Sequence, residues 1–93
     1  MAETIMQDKK ECYITKRTDN LHRHHIYGGA GRRKLSEQYG CWVWLTGEWH
    51  NQSNHGVHFN PSLDLWLKQQ CQKKMEKQYT RQEFICIFGR SYL

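Results

Sequence analysis

Apolar residues recur at every fourth position in the last third of the chain: Leu63, Leu67, Cys71 and Met75. This spacing places them on one face of an α-helix, and lysines occupy much of the opposite face. Asn60 followed by Pro61 is a favourable start, because Asn caps a first turn well and Pro fits the first helical position. The pattern predicts an amphipathic helix over about 61–78.

A second C-terminal helix is predicted over about 81–88. Thr80 and Glu83 have the spacing of a capping box, in which each side chain bonds the backbone N–H of the other residue. Gly89 then supplies the residue type that most often ends a helix.

The middle of the chain contains two runs typical of β-strands. Residues 41–45 are apolar and rich in aromatic side chains, and residues 21–27 alternate in character. A glycine-rich stretch at 28–31 must form a loop between them, and the basic residues 32–34 extend it before one helical turn over 35–39. A further short strand is expected over 12–15.

Thr46 resembles a helix N-cap, so a short helix is expected to carry His50 and Asn54 and to end at Gly56. The two strands and this helix form a hairpin with a packed helix. With the two C-terminal helices, the pattern predicts a small α+β fold. We expect a flexible polar segment at 1–10 and one domain over 11–93.

The composition is that of one small folded domain with a basic surface. The chain has 93 residues, and its four Trp, five Tyr and three Phe can form a thin aromatic core. Its formal net charge is +5. This charge favours an anionic partner, above all nucleic acid, although ordinary surface charge would look the same.

Four cysteines are spaced irregularly along the chain: Cys12, Cys41, Cys71 and Cys86. The spacing does not form a disulfide framework, and the polar first residues contain no signal-peptide core. No stretch has the length of a membrane span. We therefore expect a cytoplasmic protein, no membrane partner, and cysteines that are buried as small hydrophobic residues.

The histidines fall into two groups. His22, His24 and His25 end the first predicted strand, whereas His50, His55 and His58 follow the second. Neighbouring residues of a strand point to opposite sides, so His24 and His25 can perform different tasks. His50 and Asn54 are four apart and would share a helix face. Phosphodiester hydrolysis needs a base for water and a cation for the phosphate, and these residue types can supply the base and the cation's ligands.

This arrangement resembles the HNH, or ββα-metal (His-Me finger), endonuclease motif. The resemblance rests on the strand ending His24-His25-Ile26, the glycine-rich basic loop, the strand 42–45 and the helix with His50 and Asn54. It covers about 12–59, and the remaining sequence is similar to small HNH-like proteins of phages and prophages. The resemblance implies a hairpin and a helix that clasp one metal ion, in a protein of the bacterial host cytoplasm.

The resemblance also implies a role for each site residue. His25 is expected to be the general base that activates water. His24, His50 and Asn54 are expected to hold one divalent cation, Mg²⁺ or Mn²⁺ first, although imidazole also tolerates Ni²⁺ and Zn²⁺. The implied activity is that of a metal-dependent DNA endonuclease or nickase.

Two departures from the family pattern leave an alternative open. The second strand lacks the Asn that braces the loop of the base; Cys41 is nearest, and Asn51 or Asn20 could substitute. The pairs of cysteines that bind a structural zinc in many HNH proteins would fall at Cys12, Thr15, Thr46 and Trp49. With one cysteine left, no structural zinc is expected. The alternative is a degenerate HNH-like domain that binds DNA or a protein without cutting.

Further residues are candidates for a secondary part in the site. Four basic residues are expected near the phosphates of DNA: Arg23, Arg32, Arg33 and Lys34. Reserve ligands or neighbours of the site are His22, Asn51, His55 and His58. A chain this small cannot read a long target alone, so low specificity, a homodimer or a phage or host protein partner is expected.

Overall fold

The computed structural model describes residues 2–52 and 56–93 of the chain. It contains two strands, β1 (Leu21–His25) and β2 (Trp42–Thr46). Four α-helices accompany them: α1 (Arg32–Tyr39), α2 (Gly47–His50), α3 (Pro61–Met75) and α4 (Arg81–Phe88). A single 3-10 turn, Val57–Phe59, precedes α3. The predicted α+β class is confirmed as a two-stranded hairpin with several helices.

β1 and β2 pair as antiparallel strands, from Leu21 opposite Thr46 to His25 opposite Trp42. Their connection is longer and more ordered than predicted. Residues 32–34, expected in a loop, instead form the first turn of α1, whose eight residues replace the single predicted turn. Ser36 of α1 is buried, and its hydroxyl donates to the Tyr27 carbonyl at 2.8 Å and accepts from the Tyr27 N–H at 3.0 Å. This pair of bonds ties α1 to the end of β1.

The register divides the hairpin into two faces, because side chains directly opposite each other project to the same side. One face carries His22 and His24 across from Leu45 and Val43. The other carries Arg23 and His25 across from Trp44 and Trp42. Val43 and Leu45 are fully buried, so the first face is the one that packs into the core.

The core lies between this face and the two C-terminal helices. Its largest members are aromatic or aliphatic side chains: Tyr27, Phe84, Phe88, Ile26, Leu45 and Leu67. α3 begins at Pro61 with the Asn60 side chain accepting from the Leu63 N–H, as predicted, but ends at Met75 because residues 76–78 form turns. α4 has the predicted capping box, and Gly89 ends it at φ 92°.

The N-terminal segment differs from the flexible lead-in expected over 1–10. Its residues pack along β2: the Thr4 hydroxyl donates to the Trp42 carbonyl, and the Gln7 side chain accepts from the Trp44 N–H at 2.8 Å. Met6 is buried in the core cluster. The strand predicted over 12–15 is a turn instead, in which the Lys16 N–H donates to the Cys12 carbonyl. β2 is an edge strand, and these contacts cover it.

Three of the four cysteines are buried as expected, whereas Cys86 on α4 is exposed. All four thiols are free. None of the helices in the described part of the chain combines the length and apolarity that crossing a bilayer requires.

Candidate metal centre

His24 is a buried histidine in the middle of the hairpin. Its relative exposure is 4%, and its Nε2 has no hydrogen-bond partner among residues 2–52 and 56–93. Burying a polar nitrogen without a partner costs about 1–3 kcal/mol, so such an atom calls for an explanation. The surroundings of His24 suggest one, because two further imidazoles, those of His50 and His58, lie beside it.

His50 and His58 converge on His24 from two other elements. His50 is the last residue of α2, and His58 lies in the 3-10 turn before α3. Their Nε2 atoms are 2.9 Å apart, and each ring centroid lies 5.4 Å from that of His24. One nitrogen from each of the three residues falls within 4.8 Å of the others. The three side chains can therefore hold one metal ion together.

A fourth imidazole, His22, contacts His50 from the other side. The two Nδ1 atoms are 3.1 Å apart. A neutral imidazole has one N–H, so it can donate through only one nitrogen. When His50 donates from Nδ1 to His22, its Nε2 keeps a lone pair that faces the cluster.

The cluster favours neutral imidazoles. Burial first, and then the neighbouring imidazoles of His50 and His58, lower the pKa of His24 to about 3. Burial and the same kind of neighbours, His58 first and then His22, lower the pKa of His50 to about 4. Neutral imidazole is the form that binds metals, so both residues are ready to act as ligands near neutral pH.

His25 lies on the other face of β1, beside Glu37 of α1. Its Nε2 is 2.5 Å from Glu37 Oε2, and Arg23 bonds the second carboxylate oxygen. Burial opposes ionisation of Glu37, but the hydrogen bond from His25 and the charge of Arg23 outweigh it and lower its pKa. The Arg23 guanidinium in turn stacks on Trp42, 3.9 Å from the ring centroid.

Both faces of β1 open onto one cavity of about 310 Å³ beyond His25. Its charged and titratable lining consists of His24, His25, His50, His58, Arg23 and Arg33. Gly28 and Gly29 complete the wall, and Cβ atoms added to either would meet nothing within 4 Å. A second cavity of about 450 Å³ shares five of these lining residues and extends toward Lys68. The imidazole cluster is thus accessible from this cavity and is not sealed in the core.

The structure brings together part of the predicted site. His24 and His50 lie in one cluster, and His58, a reserve candidate, joins them as the third imidazole that could bind a metal ion. The predicted ligand Asn54 and the reserve residue His55 lie outside the described residues. The short helix predicted to carry both His50 and Asn54 and to end at Gly56 is wrong in its length, because α2 ends at His50 and residues 51–52 are no longer helical.

The basic candidates take different positions. Arg33 and Arg23 both line the cavity, and Arg23 also forms an ion pair with Glu37. Arg32 and Lys34 are exposed on the first turn of α1 and do not belong to the described lining. Arg32 instead extends near Gly89, where a Cβ would come within 3.1 Å of its Nη2.

Neither suggested substitute for the bracing Asn reaches His25 in the described contacts. Asn20 donates from its side chain to the Gln52 side chain at 3.2 Å, and Asn51 is an exposed cap at the end of α2. Glu37 contacts His25 in their place, and the sequence reasoning missed it. Its only signal was an acidic residue in a basic segment, ahead of the second strand.

Comparison of the chain with known protein families, with characterised proteins and with solved structures finds no match.

Proposed function

We propose that this protein is a metal-dependent DNA endonuclease or nickase of the HNH type. One observation carries the proposal. The imidazoles of His24, His50 and His58 lie close enough together on one side of β1 to bind one metal ion. His25, which follows His24 in the strand, contacts the Glu37 carboxylate on the other side. The order of hairpin, short helix and site histidines is compatible with a ββα core. The net charge of +5 supports an anionic substrate.

A second observation supports the HNH resemblance. Three of the four positions that would carry a structural zinc in many HNH proteins, those of Cys12, Thr15 and Thr46, lie close together in space. Cys12 Sγ is 4.0 Å from Thr46 Oγ1 and 3.4 Å from the Thr15 N–H nitrogen. Trp49 packs against the core nearby in the chain.

The three described donors fit a divalent transition metal. All are imidazole nitrogens, one of them buried without a hydrogen-bond partner among the described residues, and no described carboxylate belongs to the set. Imidazole suits Zn²⁺, Ni²⁺ and Mn²⁺ better than Mg²⁺, which prefers oxygen. When bound, such an ion neutralises charge on the phosphate and on the departing oxygen.

His25 is the residue suited to take a proton from the attacking water. Its imidazole faces the cavity that the cluster also lines, so both can contact the same phosphodiester. Its Nε2 is engaged by Glu37, which leaves Nδ1 for the water. Arg33, on the same cavity wall, can bind a phosphate oxygen and place the backbone without reading its sequence.

Cleavage of supercoiled plasmid tests this function. Wild-type protein should nick or linearise the plasmid with Mn²⁺, Ni²⁺ or Zn²⁺ more readily than with Mg²⁺, and EDTA should stop it. His25→Ala should lower the rate by about 10²- to 10⁴-fold, the usual contribution of an acid–base residue. Lys73→Ala, which removes an exposed positive charge from α3, is the matched control and should cleave as wild type.

The outcomes separate this function from binding without cutting. Plasmid that stays intact in every metal, together with chelator-insensitive DNA binding, would show a domain that only binds. Equal cleavage by wild type and His25→Ala would show a contaminating nuclease or a different base. The ratio of nicked to linear product distinguishes a nickase from an endonuclease that cuts both strands.

A further inference from the structure

Glu37 holds two neighbours at once, one through each carboxylate oxygen. Oε2 is 2.5 Å from His25 Nε2, and Oε1 accepts from Arg23 Nη1. The side chains are largely shielded, with exposed fractions of 21% for Glu37 and 15% for His25. Each carboxylate oxygen therefore has a defined partner in a place where water competes little.

The position of Glu37 is set by the packing of α1. The preceding residue, Ser36, is buried and makes two hydrogen bonds to the backbone of Tyr27. The backbone N–H of Cys41 also donates to the Ser36 carbonyl at 2.7 Å. These bonds connect α1 to the segments that follow β1 and precede β2, so the carboxylate is held at the end of the hairpin.

An ionised carboxylate can only accept hydrogen bonds. The contact with Glu37 therefore requires a proton on His25 Nε2. Since a neutral imidazole carries one N–H, His25 Nδ1 is left with its lone pair. This is the same logic by which a buried carboxylate selects the histidine tautomer in hydrolytic triads.

We propose that Glu37 is a positioning residue for His25, which it holds in the Nε2–H tautomer so that Nδ1 can accept a proton from water. The assignment of water as the proton donor rests on the proposed function. The tautomer itself does not, and it can be measured on the resting protein. Glu37 thereby takes over the bracing task for which β2 has no Asn.

Arg23 determines which way the amide of a Glu37→Gln variant would be oriented. Its guanidinium, stacked on Trp42, has donors and no acceptor. The amide of Gln would therefore turn its oxygen to Arg23 and its NH₂ to His25. The NH₂ donates, so His25 Nε2 must accept and the proton moves to Nδ1. The substitution keeps the size of the side chain while it reverses the tautomer.

Two-bond ¹H–¹⁵N correlation spectra of histidine-labelled protein test this, in EDTA at about pH 8. His25→Gln identifies the His25 signals. We expect Nε2–H in wild type and Nδ1–H in Glu37→Gln. Arg23→Met keeps the carboxylate and should keep Nε2–H. The double variant Arg23→Met/Glu37→Gln frees the amide to turn and should regain Nε2–H.

Single-turnover cleavage then tests the consequence. Glu37→Gln should slow the chemical step by at least about 100-fold, with little change in DNA affinity measured in EDTA, and the double variant should recover part of the rate. An unchanged tautomer in Glu37→Gln overturns the proposal, and so does a switched tautomer with wild-type cleavage. If the tautomers behave as expected but wild type cleaves nothing in any metal, the proposed function fails and the positioning of His25 by Glu37 stands.

Discussion

The imidazole of His24 meets that of His58 edge-on, with ring centroids 5.4 Å apart and ring planes at 89°. His24 is buried in the hairpin, whereas His58 is exposed in the turn before α3. The buried ring is therefore held by the fold, and the exposed ring can be changed without opening the core. This difference determines which residue is the better one to mutate.

His58→Ala should weaken metal binding without unfolding the protein. Loss of one of the three described imidazoles that could bind the metal should lower the affinity for Zn²⁺ or Ni²⁺ at least about tenfold, or about 1.4 kcal/mol. Titration calorimetry measures it, with Lys73→Ala as the control. In wild type, free metal at about 100 times Kd should raise the free energy of unfolding by about 2.7 kcal/mol. Equal affinity in His58→Ala would remove His58 from the ligand set.

Metal-free protein should lose stability in mild acid. The folded pKa values of His24 and His50 are about 3 and about 4, against 6.5 for an ordinary imidazole. Below pH 6.5 the unfolded chain therefore binds protons that the folded chain does not. The free energy of unfolding consequently decreases as the pH is lowered below 6.5. For His24 the slope approaches about 1.4 kcal/mol per pH unit.

Urea unfolding in EDTA, at several pH values between about 7 and about 5, measures this slope. His24→Leu lacks one of the two groups, so its stability should depend less steeply on pH. A free energy of unfolding that stays constant over this range in wild type would contradict the buried, neutral state of both imidazoles.

Arg33→Ala should weaken DNA binding by removing a cavity-lining charge. The apparent affinity should fall uniformly across sequences, and the slope of log affinity against log salt should decrease by about one. Fluorescence anisotropy in EDTA measures binding apart from cleavage. Lys34→Ala removes the same charge from the next residue of α1, which lies outside the described cavity lining. Equal losses in the two variants would indicate general electrostatics, with no defined phosphate contact at Arg33.

Gly40→Ala should destabilise the protein, and Gly28→Ala should not. Gly40 has φ 73°, and a Cβ there would lie 2.2 Å from the Glu3 carbonyl oxygen of the packed N-terminal segment. The backbone conformation alone costs a non-glycine residue about 1–2 kcal/mol, and the clash adds to it. Gly28 has open space around its Cβ position. Thermal unfolding of the two variants should separate them clearly, and similar melting temperatures would contradict the docking of residues 2–7.

The parts of the fold that were predictable are those with local signals. The four-residue spacing and Asn60-Pro61 located α3, and the Thr80–Glu83 capping box located α4. The aromatic run at 41–45 located β2, and the alternation over 21–27 located β1. α1 was shortened in the prediction because its start has no such signal. Its N-cap is Gly31 in a left-handed conformation without a side-chain cap, and its first turn is basic.

Only the part of the site that depends on neighbouring residues of one strand could be predicted from the sequence. Alternation along β1 correctly separated His24 from His25, because neighbouring strand residues face opposite sides. That His58, and not only His50, would meet His24 depends on how the 3-10 turn packs against the hairpin, which no spacing in the sequence reveals. Glu37 was missed for the same reason: its contact with His25 follows from the docking of α1 through Ser36.

The helix between the two strands also has a kinetic consequence. The two strands of a hairpin with a two-residue turn can pair as soon as both have formed. β1 and β2 can pair only after the segment between them, residues 26–41, has folded so that the strands meet. Formation of α1 shortens that segment, so its folding should precede or accompany strand pairing. During synthesis, pairing of β1 can begin only when Trp42 has emerged and is complete only with Thr46, and the imidazole cluster remains incomplete until His58 has followed.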